Sequence, residues 1–201
     1  MAIHRDEVAQ CLSRAAAAGR PAVEAGRPAA EVGDSADSVV GVAVSAAAER
    51  VRAGDQMKTR EFLSKLEHDR ILQAIRDAES KTSGEIRVLI QRGKLKSDPL
   101  VAARKKFHRF SMYKTRERNA VLIFVAPRVH KLAVVGDNAI HERCGDEFWQ
   151  RVVETMRVHF RNEKFSDALI NAVNEVAKVL AAHFPRASAS ANELPDEIIE
   201  G

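Results

Sequence analysis

Cysteine is nearly absent. Cys11 and Cys144 are the only two in 201 residues, and they stand in unlike segments. That excludes a disulfide framework and any C-x-x-C metal spacing. Two free thiols in a reducing compartment are the expectation. Long apolar runs are missing too. Nothing approaches the roughly 18 residues needed to cross a bilayer, and the longest weak stretch, 39–48, is rich in Ala and Gly. Asp6 and Glu7 interrupt the N-terminus where a signal peptide keeps an apolar core. These absences predict a soluble cytoplasmic chain with no membrane span. The sequence also has no G-x-S-x-G, no P-loop, no G-x-G-x-x-G and no H-E-x-x-H. It therefore lacks the usual signatures of a hydrolase elbow, a nucleotide cradle, a dinucleotide site and a helical zinc site.

Lys, Phe, Tyr and Trp are absent from residues 1–56, where Ala is the commonest residue. Gly19-Arg20-Pro21 and Gly26-Arg27-Pro28 break any regular element there. A segment with so few large side chains cannot offset its ordering entropy, so residues 1–56 are expected to be a disordered extension. The abrupt arrival of Lys58 and Phe62 after Met57 suggests Met57 as the true start. The intact mass of natively expressed protein would check that. The remainder is long enough for one domain with a single core, and a net charge of +4 is mild.

From Met57 onward the pattern becomes regular. Leu63, Leu66, Ile71, Leu72 and Ile75 recur near helical spacing, with Ser64 and Glu67 placed as a capping box. Thr82-Ser83-Gly84 ends that helix. Residues 85–91 alternate as a strand, with Ile86, Val88 and Ile90 on one side. Asp98-Pro99 opens a helix whose face carries Leu100, Ala103, Phe107 and Phe110. Residues 120–126 are apolar throughout, as expected of a strand covered on both faces. A short turn leads to a third strand over 131–136. Two amphipathic helices follow Gly145, the second capped by Ser166 and ending before Pro185. A flexible acidic tail over 186–201 completes the reading.

Strand, helix, strand implies a right-handed crossover with parallel strands, and the third strand, after a short turn, runs antiparallel. One sheet edge then collects Glu85, Arg118, Asn119 and Asp137, with His141 and Glu142 one turn further on. Two carboxylates and an amide oxygen suit a hard cation such as Ca²⁺ or Mg²⁺, and Arg118 suits a phosphate. The competing reading is structural: Glu85 pairs with Arg118, and Asp137 caps the next helix. Arg104-Lys105-Lys106-Phe107-His108-Arg109, with Lys114 and Arg116 beyond, interleaves cations and aromatics. That resembles an anion or nucleic-acid surface. Helical spacing instead turns Phe107 and Phe110 to the core and the cations to solvent, which makes nucleic acid the weaker partner.

Several segments together are similar to one known family. They are Lys81-Thr82-Ser83-Gly84-Glu85-Ile86-Arg87-Val88, Met112-Tyr113-Lys114-Thr115, Arg118-Asn119 before the apolar strand, and Gly136-Asp137 followed by Ile140. Phe148-Trp149, Phe184-Pro185 and 192–198 complete the pattern. In order and spacing, residues from about 58 to 200 resemble the TPM domain, and above all its short soluble bacterial members. Residues 1–56 have no counterpart in it. The resemblance implies an α/β sandwich, a small mixed sheet packed against several helices, over residues 57–185. It also implies two kinds of activity: divalent-metal-associated acid phosphatases, and non-catalytic helpers in photosystem repair or receptor assembly. Ser111, Ala120 and Ala139 stand where the family often has Gly. The leading expectation is a binding module for a protein partner or a small phosphate-containing ligand. The alternatives are a weak metal-dependent phosphatase using Glu85, Asn119, Asp137 and Arg118, and an anion or nucleic-acid binder using the basic helix.

Overall fold

The structure is a computed structural model that describes residues 58–186, 195 and 198–201. The extension expected over 1–56 lies outside the described residues. So does most of the expected tail. The helices are α1 (Thr59–Ser64), α2 (His68–Glu79), α3 (Pro99–Arg109), α4 (Asn138–Arg161) and α5 (Phe165–His183). The strands are β1 (Ile86–Ile90), β2 (Val121–Ala126), β3 (Lys131–Gly136) and β4 (Ile198–Glu200).

The sheet order is β3-β2-β1-β4. β1 and β2 are parallel, and β2 and β3 antiparallel, as the sequence implies. Alternation along the strands builds two cores. Ile86, Val88, Val121, Ile123 and Val134 face α2, α4 and α5. Leu89, Leu122, Phe124 and Val135 face Phe107 of α3 and Met112 of the 3-10 turn after it. All five residues of β1 and all six of β2 are buried.

Local signals explain most element ends. Asp98 accepts from the Leu100 amide at 2.9 Å with Pro99 first in α3. Asp137 caps α4 by accepting from the Asn138 amide at 2.8 Å. Two expected caps differ. Ser64 donates to the Glu61 carbonyl at 2.8 Å, so no capping box forms and the first helix divides into α1 and α2. Ser166 is buried one residue inside α5 and accepts from the Glu67 amide at 2.9 Å. It ties the start of α2 to α5 and does not cap its own helix. The helix after Asp137 also begins earlier than Gly145, which sits as a kink with φ 69° inside α4.

The last residues correct the expectation of a tail. Ile198–Glu200 pair in parallel with β1, Val88 opposite Ile198 and Ile90 opposite Glu200. The physical reason is the adjacent pair of isoleucines. Ile198 packs against the first core and Ile199 against the second. Each is half-buried, which contributes roughly 1 kcal/mol, about half the value of a fully buried side chain.

Candidate functional site

The ladder places the sequence-predicted residues at one edge. The Val121 amide donates to the Glu85 carbonyl at 2.8 Å, and the Asp137 amide donates to the Ala120 carbonyl at 2.9 Å. Glu85, Ala120 and Asp137 therefore form the next row across three strands, with neighbours roughly 4.8 Å apart. Glu85 is 4% exposed, Asn119 1% and Asp137 0%.

Asp137 is already engaged. Arg118 Nε donates to both of its oxygens, at 3.1 and 3.0 Å, while one oxygen also caps α4. Arg118 reaches it from a left-handed backbone, φ 53°, which is a strained conformation for a residue with a side chain. Burial raises the Asp137 carboxyl above its ordinary range. The Asn138 amide, Arg118 and His108 pull the other way, in that order. The structural reading of Asp137 as a helix cap is thus present in the fold. The pairing of Glu85 with Arg118 is not; Asp137 is the carboxylate that Arg118 meets.

Asn119 uses only its nitrogen. Nδ2 donates to Ser83 Oγ at 3.2 Å and to Glu117 Oε2 at 3.3 Å, and Ser83 itself donates to Glu117. Asn119 Oδ1 and Thr115 Oγ1, both buried, meet no hydrogen-bond partner among the described residues. An amide oxygen of this kind fits a cation. The fit of the set is partial, because Arg118 already lies on Asp137. Among the described residues no group of three or more His, Cys, Asp or Glu side chains is arranged to hold a metal ion.

Arg87 is the residue that alternation misplaces. In the sequence it alternates with Ile86 and Val88 on the strand over 85–91, on the side away from them. The helix over 99–109 covers that side, and Arg87 is 5% exposed. Its Nε meets no acceptor, and it makes no ion pair among the described residues. A guanidinium stays charged when buried, and an uncompensated buried charge is expensive. The signal that could have found it was the apolar face of α3, which requires a sheet face to cover.

Charge is sorted between the two layers. Residues 92–118, which run from the end of β1 through α3 toward β2, carry ten Lys or Arg against two Asp or Glu. That is +8 in a chain whose total is +4, so the rest sums to −4. Lys94, Lys96, Lys105, Lys106, Arg109 and Lys114 make no ion pair among the described residues. Burial, and then Arg109, pull the Lys106 ammonium below its usual range. On the opposite layer Arg70 pairs with Glu67, Arg157 with Glu154 and Lys178 with Glu175.

A four-stranded mixed sheet between helices, with a capped aspartate at its edge, defines a small α/β sandwich. A profile of the TPM domain matches residues 57–179, and the chain belongs to that family. The NMR structure of the BA42 protein from the psychrophilic bacterium Bizionia argentinensis is similar at 33% identity and a TM-score of 0.62. It covers 67% of this chain and 92% of its own. No curated protein matches the chain. No helix among the described residues is long and apolar enough to cross a membrane. Two of the glycines in the motifs that carry the resemblance are close approaches. A Cβ on Gly84 would come within 2.6 Å of Leu180, and one on Gly136 within 2.6 Å of the Trp149 ring.

Proposed function

We propose that this TPM-domain protein works as an interaction module that docks an acidic protein partner on the layer formed by residues 92–118. The carrying observation is the set of six cations in that layer with no ion pair among the described residues, opposite a layer in which Arg70, Arg157 and Lys178 each pair with a carboxylate. Crowded like charges attract an acidic surface and speed its encounter. A protein is favoured over nucleic acid because Phe107 is buried and Phe110 and Tyr113 are half-buried, leaving little ring surface for bases to stack on. The test uses the full chain, polyglutamate as probe and a duplex oligonucleotide as comparison. Polyglutamate should bind and weaken as salt rises, with a loss of roughly ten-fold in Lys105→Glu/Arg109→Glu. Unchanged affinity in that variant would remove the layer from the account. Duplex binding without polyglutamate binding would favour the nucleic-acid reading.

A second reading is a divalent-metal-dependent acid phosphatase, with Ca²⁺ or Mg²⁺ held by Glu85, Asn119 and Asp137 and phosphate by Arg118. The buried Asn119 Oδ1, without a donor among the described residues and at the same sheet edge as the buried Glu85 and Asp137, supports it. The Arg118–Asp137 pair opposes it, since a cation would have to displace the guanidinium. A ligand that binds only the folded state raises its stability by mass action. A melting temperature raised by Ca²⁺, Mg²⁺ or Mn²⁺ and indifferent to metal in Asp137→Ala supports this reading. No shift with any of the three metals ends it.

A further inference from the structure

We infer that β4 is an autoinhibitory strap on the basic layer: it holds Glu200 where a partner's acid would bind, and an acidic partner must release it. The inference rests on the acidic-partner reading above and says how that same surface is regulated.

Three observations converge on β4. The first is charge. Residues 187–201 carry four Asp or Glu and no Lys or Arg, whereas residues 92–118 carry ten Lys or Arg against two Asp or Glu. The two stretches are opposite in sign. The second is contact. Glu200 pairs with Arg92, the first cation of the layer, and the Arg92 amide donates to the Gly201 carbonyl at 2.5 Å. A Cβ on Gly201 would stand 2.8 Å from Lys106 Nζ, so a second cation of the layer lies against the end of β4. The third is seating. Ile199 packs into the core beneath α3, which sets the strand at the rim of the same layer.

The hold is weak enough to reverse. β4 is three residues long, its isoleucines are half-buried, and it pairs with β1 only at Val88, Leu89 and Ile90. That is the profile of a segment that opens locally. The ion pair is exposed too, 63% on the Arg92 side and 30% on the Glu200 side, so a second carboxylate can exchange for the first. While β4 is seated, an acid brought to Arg92 meets Glu200 as a like charge, and Lys106 is partly covered. A strap on the same chain acts at an effective concentration of millimolar order. The partner's apparent affinity is then reduced by the fraction of chains in which the strap is open. Linkage is reciprocal, so a bound partner favours the open strand by the same factor.

The test uses the full chain with polyglutamate as probe. Glu200→Gln should bind it about three-fold more tightly, because one exposed anchor is lost. Ile198→Ser/Ile199→Ser should bind it roughly ten-fold more tightly, the gain expected of a strap closed about nine-tenths of the time. Glu175→Gln makes the same charge change on the opposite layer and should bring no such gain. Amide exchange reads the strap itself. The Arg92 amide donates to Gly201 and the Gly201 amide to Ile90, and both should exchange faster in the unaltered chain when polyglutamate is added. If the serine variant does not fold by circular dichroism, Glu200→Gln and the exchange measurement carry the test. Equal affinity in Glu200→Gln and the unaltered chain, an equal gain in Glu175→Gln, or exchange at Arg92 and Gly201 that the probe leaves unmoved each overturns the strap. Should Lys105→Glu/Arg109→Glu still lose binding in that event, the basic layer stands and only the strap falls. No polyglutamate binding in any variant overturns both.

Discussion

Asp137→Ala is expected to lower the free energy of unfolding by about 2 kcal/mol. The first half comes from the helix cap, where losing an aspartate costs about 1 kcal/mol. The second comes from Arg118, whose Nε sits 3.0 Å from a carboxylate with 0% exposure. Arg118 is 43% exposed, so solvent can take up part of its lost bond and the term stays near 1 kcal/mol. A fall in Tm of roughly 5–10 °C should follow. Asp137→Asn should cost less, because asparagine caps as well as aspartate and brings no charge into the interior. The pH dependence separates the two contributions. Burial raises the Asp137 carboxyl in the folded state, so the folded protein holds that proton more tightly than the unfolded chain does. Its contribution to stability is fully present below the unfolded value of about 4 and is lost as pH rises through the higher folded value. Denaturant titrations from pH 3 upward should show that loss in the unaltered protein, against whatever other groups contribute, and a flatter profile in Asp137→Asn. Equal profiles would mean that Arg118 and the cap fully offset the burial.

The same residue shows how much of the site was legible in the sequence. The three-strand topology follows from β1, α3 and β2 in order, and it brings Glu85, Asn119 and Asp137 to one edge before any side chain is placed. What that reading lacked was the direction of side chains. Arg118 reaches Asp137 through a left-handed turn that no periodicity announces. Ser166 has the spacing of a helix cap but serves the Glu67 amide, a tertiary contact across 99 positions. β4 was missed because three residues are too few for alternation to register. Its strand state depends on the edge of β1 and on two cores that take one isoleucine each. Arg87 shows a related limit. A period of two tells one face from the other, but it does not say that both are covered.

Arg87→Met is expected to raise stability by about 1–2 kcal/mol. Methionine keeps the length and most of the apolar stem of arginine, and it adapts its shape to irregular space. It discards a charge that at 5% exposure has no acceptor among the described residues. Replacing buried ionic groups with apolar ones of similar volume is often neutral or stabilising by 1–4 kcal/mol. The lower part of that range applies here, because some desolvated apolar contact of the stem is already made. Urea titration of the full chain measures the effect. A loss of 2 kcal/mol or more would mean that the folded chain already supplies Arg87 with an acceptor.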